Sequence, residues 1–199
     1  MARSLGIPLA PRDAARLAVE GRAKPIDLIE AVTPFRRYVT VEGLSVGFLS
    51  QARSRYHEEN SSHLGPALAA GAHALTDFHP YRVRVVQGTS VEELALVQLF
   101  VANLPLYGFG LHVAPDADPT DGLLDVVAIE GHGRLYLLRM IVRLRQATEL
   151  GRAEARHWRV ERARIDTNGA APAIADSFDL GPGPVDLSPL PLGLPLVRP

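Results

Sequence analysis

The sequence has 199 residues, of which 47% are hydrophobic and 22% are charged, a composition typical of a globular domain with a substantial core. A formal net charge of −1 argues against nonspecific binding of nucleic acid over the whole surface. The sequence contains no cysteine, which excludes disulfides, thiolate metal sites and cysteine nucleophiles.

The first half of the sequence predicts one short helix followed by strands and further helices. Residues 11–21 begin with proline and end with glycine, which is typical of a helix. Alternating residues rich in valine, tyrosine and threonine predict a strand at 36–44, and a second alternating segment predicts one at 81–87. Between them, residues 48–56 and 64–75 are expected to form helices separated by a polar loop.

The second half combines two long apolar runs with turns and one helix. Residues 94–106 and 123–129 are nearly continuous apolar runs, which predict buried strands with 101–103 and 126–129 in the interior. Apolar residues at helical spacing among arginines predict an amphipathic helix over 134–150. Strands are also expected at 158–165 and 194–197. Many strands, few helices and close turns predict a β-rich α+β fold built as a sandwich.

A short acidic segment lies between the two apolar runs. Residues 115–121 contain aspartates at 116, 118 and 121 and two prolines, which favour a rigid turn. A turn that presents Asp118 and Asp121 toward one point suits a hard cation bound by oxygen atoms, such as Mg²⁺. The same residues also suit a solvated turn without a ligand. The segment by itself leaves both interpretations open.

This acidic segment belongs to a longer pattern that resembles a known family. An asparagine, a glycine cluster and the order P-x-A-x-x-x-D-G-x-L-D occur here as Asn103, Gly108, Gly110, Pro115, Ala117, Asp121, Gly122, Leu124 and Asp125. The pattern resembles the central signature of the diacylglycerol kinase catalytic family, which includes bacterial lipid kinases and is related to sphingosine kinases. Residues 2–8 and 24–29 resemble two further segments of that family.

The resemblance implies a fold and a division into domains. In the family, an α/β domain that binds ATP is followed by a two-layer antiparallel β-sandwich with a few peripheral helices. Residues 1–24 would then be a helical remnant of the nucleotide-binding half, and residues 25–199 would be the sandwich domain. The family's G-G-D-G-T loop does not occur in this sequence. We therefore expect the ATP-binding domain to be missing from this chain.

The resemblance also assigns candidate site residues. It implies that Asp118, Asp121 and the backbone carbonyl of Leu123 bind a structural or regulatory Mg²⁺. It also implies that Asp176 stands at the general base of a D-G-E motif, although Ser177 replaces the glycine and Phe178 replaces the glutamate. Bulk beside a base can move it out of hydrogen-bond reach of a substrate hydroxyl. Asp176 is therefore either a working base or a solvated turn aspartate.

These assignments lead to two hypotheses for function. The first is the C-terminal domain of an ATP-dependent lipid kinase that phosphorylates a lipid hydroxyl and is inactive as this chain alone. The second is a noncatalytic module, derived from that family, that binds a lipid or a partner chain. Expected partners are a lipid substrate or membrane surface, a chain that supplies the ATP-binding half, or a second copy of this chain, but not nucleic acid.

We expect the protein to be cytoplasmic and to act at the periphery of a membrane. No apolar run approaches the roughly 18 residues needed to span a bilayer, and the N-terminus lacks the apolar core of a secretory signal. Nine arginines occur between residues 134 and 164. They suit contact with anionic lipid, or a solvated helix face stabilised by ion pairs.

We predict that the chain by itself does not bind ATP. Backbone amides of a glycine-rich loop supply most of the affinity for nucleotide phosphates, and the sequence has no such motif. Titration calorimetry with Mg-ATP on residues 1–199 should therefore detect no heat of binding. A micromolar dissociation constant would contradict the prediction.

Overall fold

The computed structural model describes residues 1–52, 79–108, 110–130, 134–146, 154–169, 171–181 and 183–199. Within these ranges the N-terminus forms a 3₁₀ helix (Ala2–Leu5) and helix α1 (Pro11–Glu20), and a later helix is α2 (Arg134–Arg145). The strands are β1 (Arg22–Val32), β2 (Arg37–Thr40), β3 (Gly43–Gly47), β4 (Tyr81–Gln87), β5 (Ser90–Ala102), β6 (Leu106–Tyr107), β7 (Leu111–His112), β8 (Leu124–Glu130), β9 (Ala155–Val160), β10 (Ala163–Asp166), β11 (Ala173–Ala175), β12 (Phe178–Asp179) and β13 (Val185–Arg198).

One large antiparallel sheet contains every strand except β6 and β7, which pair with each other. Nine strands follow the order β12-β11-β3-β5-β4-β10-β13-β1-β2, while β8 pairs with β5 and β9 pairs with β8. Strand β2 at one end of this order connects to β3 near the other end through residues 41–42 alone. The sheet must therefore curl back on itself, and the predicted β-rich sandwich is confirmed.

The long strand β5 connects the parts of the sheet. Its first half pairs with β4, its second half pairs with β3, and β8 pairs along that second half. The register shifts between Leu96 and Gln98, and such irregularities allow one strand to bend from one layer into another. Val101 in β5 and Val126 in β8 are fully buried, so the prediction of interior strands is confirmed, with Asn103 just past the end of β5.

Two segments that were each predicted to form one strand form two strands instead. The expected strand at 36–44 is divided into β2 and β3, because Val41 and Glu42 turn their amides toward another segment. The expected strand at 158–165 is divided into β9, which pairs with β8, and β10, which pairs with β4 and β13. An alternating pattern reports which face is buried but carries no information on a change of pairing partner.

The predicted helices agree with the described residues. Helix α1 ends before Gly21, and residues 48–52 begin a helix where one was expected. Residues 53–56 of the helix expected at 48–56 lie outside the described residues, and so does the whole helix expected at 64–75. Residues 147–150 of the helix expected at 134–150 also lie outside them. Helix α2 buries Leu137, Met140 and Leu144. None of the helices in the described ranges is long and apolar enough to cross a membrane.

The N-terminal residues pack directly against the sandwich. Leu5 of the 3₁₀ helix forms a small buried cluster with Ile26 of β1 and Leu104, and Ile7 and Leu194 pack against it. This cluster is separate from the main core. The cluster joins the first turn of the chain to β1, next to Asp27. The proposed domain boundary at residue 24 remains a prediction.

We predict that Gly43→Ala destabilises the fold by about 3 kcal/mol, because the new methyl group would strain the backbone and overpack the sheet. Gly43 has φ of +148°, and an added Cβ would lie 2.2 Å from the carbonyl oxygen of Val101. Urea unfolding measures the loss. The control is Gly88→Ala, at φ of +56° with open space around the Cβ, which should lose only about 1 kcal/mol. Equal losses in the two variants would contradict the steric explanation.

Candidate functional site

Asp176 lies at the turn of the β11–β12 hairpin. Ala175 pairs with Phe178, so Asp176 and Ser177 form a two-residue turn between them. The backbone of Asp176 is left-handed, with φ of +48°, a conformation that aspartate tolerates better than most side chains. The side chain is half-buried and turned toward the β2–β3 connection.

The Asp176 carboxylate accepts hydrogen bonds from three successive backbone amides. Val41 donates to Oδ2 at 2.7 Å, while Glu42 and Gly43 donate to Oδ1 at 2.9 and 3.2 Å. The amide of Asp176 in turn donates to the Gly43 carbonyl at 3.0 Å. A carboxylate has about four acceptor directions, so these contacts use about three. Asp176 thus has the contacts of a structural clamp, and these three bonds leave about one acceptor direction of its carboxylate unused.

The two substituted positions after Asp176 are both exposed. Phe178 is 49% exposed, and its ring centroid lies 5.6 Å from that of Tyr38 on β2. The position at which the family carries a glutamate therefore supplies an aromatic contact between the β11–β12 hairpin and β2. It adds no carboxylate beside Asp176.

The acidic turn is organised by contacts within itself. Asp118 Oδ1 accepts hydrogen bonds from the amide and the hydroxyl of Thr120, at 3.0 and 2.6 Å. Asp121 Oδ1 accepts the amide of Leu123 at 2.9 Å. The amide of Asp121 donates to the Asp118 carbonyl at 3.4 Å. These contacts hold the Asp118 and Asp121 side chains against the backbone of their own turn.

A cationic side chain already contacts this turn. The guanidinium of Arg159 on β9 donates to Asp121 Oδ2, and its Nε lies 3.5 Å from Oδ1 of the buried Asp125. His157 Nε2 lies 2.8 Å from the same Asp125 oxygen. Arg159 therefore offsets the negative charge that the turn would otherwise present to a cation.

The candidate ligands are of the chemical type that a hard cation binds. Asp118, Asp121 and the Leu123 carbonyl offer oxygen ligands, which Mg²⁺ prefers, and water would have to complete the coordination. Within the described residues, no group of three or more histidine, cysteine, aspartate or glutamate side chains is arranged to hold a metal. A cation at this turn would have to compete with Arg159 for one oxygen of Asp121.

Sequence reasoning missed Asp27, which holds the acidic turn in place. Asp27 lies on β1 and is 1% exposed. Its Oδ2 accepts the amide of Gly122 at 2.9 Å, its Oδ1 accepts the amide of Leu192 at 2.6 Å, and its own amide donates to the Pro119 carbonyl at 2.7 Å. Asp27 lies within residues 24–29, which resemble a segment of the family, but that resemblance assigned it no role.

Asn103 joins the acidic turn to the segment that Asp176 holds. Its Nδ2 donates to the carbonyls of Asp27 and Val41, at 2.9 and 3.0 Å, and its amide donates to the Glu42 carbonyl at 3.0 Å. Asn103 is 1% exposed. The sequence identified Asn103 as part of the resemblance without a role. The structure brings the two predicted sites into one buried hydrogen-bond network.

Comparisons with known proteins agree with this architecture. The chain is 28% identical to a diacylglycerol kinase of Mycobacterium tuberculosis strain CDC 1551 / Oshkosh over 207 residues, and equally to that of strain H37Rv. These alignments cover 100% of this chain, and the chain spans 65% of the relatives' length.

Solved structures show the same fold. A diacylglycerol kinase structure from Bacillus anthracis str. Sterne superposes with a TM-score of 0.68 at 17% identity, covering 100% of this chain and 62% of that one. A second structure from that strain gives a TM-score of 0.75 at 18% identity and covers 65% of its chain. The family model described as the YegS C-terminal NAD kinase beta sandwich-like domain matches residues 47–198. The chain therefore belongs to the family of YegS C-terminal NAD kinase-like β-sandwich domains.

Proposed function

We propose that this chain is the C-terminal domain of an ATP-dependent lipid kinase that phosphorylates a hydroxyl group of a diacylglycerol-like lipid. The observation that carries the proposal is the alignment with the diacylglycerol kinases of Mycobacterium tuberculosis over the whole of this chain. ATP would bind to a separate nucleotide-binding half, supplied by the same polypeptide, by a partner chain or in a homo-oligomer. The chain alone would then be inactive.

In this proposal Asp176 is the general base. The lipid hydroxyl would donate its proton to the remaining acceptor direction of the Asp176 carboxylate as its oxygen attacks the γ-phosphorus of ATP. A bond forms between the lipid oxygen and phosphorus, the bond to the β–γ bridging oxygen breaks, and ADP leaves. The contribution of this chain is to position the hydroxyl and to accept the proton, since positioning and charge neutralisation dominate phosphoryl transfer.

We also propose that Asp118, Asp121 and the Leu123 carbonyl hold a structural or regulatory Mg²⁺. The support is the oxygen character of these ligands and the hydrogen bonds that hold both side chains against their own turn. When bound, the ion would fix the turn by neutralising two carboxylates. Two residues of the chain also hold this turn in place. Asp27 accepts the amide of Gly122, and Arg159 forms an ion pair with Asp121.

The proposed partner is a lipid at the cytoplasmic face of a membrane. Phe35, in the connection between β1 and β2, is 84% exposed and lies beside Arg36, a combination suited to an anionic lipid surface. The next residue, Arg37, pairs with Glu30 and supports this less. The arginines near β9 support this less, because Arg143, Arg156 and Arg159 pair with Glu154, Glu92 and Asp121. Localisation at the periphery of a membrane in the cytoplasm follows from the proposed substrate.

A noncatalytic module that binds a lipid or a partner chain is the second candidate function. The observation that favours it is the replacement of the family's glutamate by Phe178, an exposed side chain that packs on Tyr38. Asp176 would then act only as the clamp of residues 41–43. The two candidates differ in whether removal of the Asp176 charge affects a reaction rate or only stability.

We predict that joining the nucleotide-binding part of the Mycobacterium tuberculosis relative in front of this chain gives a protein that phosphorylates diacylglycerol in mixed micelles. Asp176→Asn should lower kcat by at least about 100-fold, because a positioned base contributes that much or more. Transfer of labelled phosphate measures the rate, and thermal melting shows that the variant is folded.

The matched control for this experiment is Asp179→Asn, three residues further on at an exposed position, which should leave kcat unchanged. A folded fusion that binds ATP and transfers no phosphate to lipid would contradict the kinase proposal and favour the noncatalytic module. Equal losses of kcat in Asp176→Asn and Asp179→Asn would contradict the role of Asp176.

We predict that Mg²⁺ raises the melting temperature of this chain by about 3–6 °C at tenfold excess over its dissociation constant, since a ligand of the folded state stabilises it by mass action. Asp121→Asn should abolish the rise. Arg159→Gln should increase Mg²⁺ affinity, because it removes the competing cation from Asp121. Asp186→Asn, which breaks an ion pair with Arg164 elsewhere, should respond to Mg²⁺ like the wild type. A wild-type melting temperature indifferent to millimolar Mg²⁺ would exclude the proposed metal site.

A further inference from the structure

The ladder between β1 and β13 is interrupted opposite Asp27. Ile26 pairs with Leu194 and Leu28 pairs with Leu190, so three residues of β13 face one residue of β1. Leu192, in the middle of these three, has a left-handed backbone with φ of +51°. Such strain in a residue other than glycine persists only where surrounding contacts impose it. Irregularities of this kind are frequent next to functional sites.

Every polar group of Asp27 forms a hydrogen bond that is not part of the ladder between β1 and β13. Its amide binds the Pro119 carbonyl, its carbonyl accepts Nδ2 of Asn103, and its carboxylate lies between the amides of Leu192 and Gly122. No ion pair among the described residues includes Asp27. A carboxylate at 1% exposure is costly unless hydrogen bonds satisfy it. The two amides therefore satisfy the carboxylate, and the carboxylate joins the acidic turn to the irregular part of β13.

Asn103 extends this contact to the segment around Asp176. One atom of its side-chain amide faces the carbonyls of both Asp27 and Val41, and only the NH₂ group can donate to two carbonyls. The amide of Val41 then donates to Asp176. A continuous path of hydrogen bonds thus runs from Gly122 of the acidic turn through Asp27, Asn103 and Val41 to Asp176.

We infer that Asp27 is a positioning residue that sets the acidic turn relative to Asp176, with Asn103 as the link between them. The inference rests on the proposed function, in which these two segments form one site. Asp27 touches neither substrate nor metal in this role. Its carboxylate determines where the 118–123 backbone lies, and Asn103 transmits that position to residues 41–43.

Amide hydrogen exchange followed by NMR on the full chain tests this role. In the wild type the Gly122 amide should exchange slowly although its turn is at the surface, because a buried carboxylate accepts it. Asp27→Asn should speed exchange at Gly122 and Leu192 by about tenfold or more, while the amides of β5 and β8 stay protected. Rapid exchange of Gly122 in the wild type would overturn the inference.

The control is Ile165→Val, a truncation of a buried side chain on β10, which lowers stability without touching this network. A purely structural role of Asp27 would give the same general rise of exchange in Asp27→Asn and Ile165→Val, and that result would overturn the inference, as would unchanged exchange. Asn103→Ala gives a second measurement if Asp27→Asn fails to fold. It should speed exchange at both Val41 and Gly122, and an effect confined to one side would reject the link.

Mn²⁺ provides a readout of position that stability alone does not move. Paramagnetic broadening at residues 118–123 reports binding, and Asp27→Asn should weaken the Mn²⁺ affinity by about tenfold relative to Ile165→Val. Equal affinities in these two variants would overturn the inference. If the wild type binds no Mn²⁺, the proposed metal site fails, and the exchange pattern still decides the role of Asp27.

Discussion

The buried carboxylate of Asp27 is the contact on which the geometry of the candidate site depends. A buried carboxylate is tolerated only where donors surround it, and here both donors are backbone amides far away in sequence, one in the acidic turn and one in the irregular part of β13. The sheet accommodates this arrangement by giving up regular pairing between β1 and β13 at one position. The loss of ladder hydrogen bonds and the strain at Leu192 are offset by the attachment of the acidic turn.

Asp176, at the other end of the network, makes the same kind of contact. Its carboxylate also accepts backbone amides of a distant segment, so each aspartate joins segments of the curled sheet that are far apart in sequence. A carboxylate held in this way is rigid, which favours catalysis by positioning. Most of its acceptor directions are also occupied, which limits how a substrate hydroxyl can approach. In the proposed reaction, the lipid hydroxyl would therefore have to reach Asp176 from one side.

The sequence predicted the parts of this site better than their connections. Apolar runs identified β5 and β8 because burial on both faces leaves a continuous pattern, and the resemblance identified Asp118, Asp121 and Asp176 as site candidates. The division between β9 and β10 was missed because alternation does not reveal a change of partner. The role of Asp27 was missed because its donors, Gly122 and Leu192, become neighbours only when the sheet closes.

Arg159 balances part of the negative charge of the acidic turn, because it contacts both Asp121 and the buried Asp125. Twenty of the twenty-one basic residues are arginines, and a guanidinium presents several N–H donors in a fixed fork that matches a carboxylate. A largely exposed ion pair contributes only about 0–1 kcal/mol, whereas a divalent ion between two carboxylates gains from both. In the proposed metal site, an ion would therefore have to displace only a weak partner from Asp121. Because Arg159 lies on β9, which pairs only with β8 among the described strands, its contact with Asp121 connects the acidic turn to the edge of the sheet.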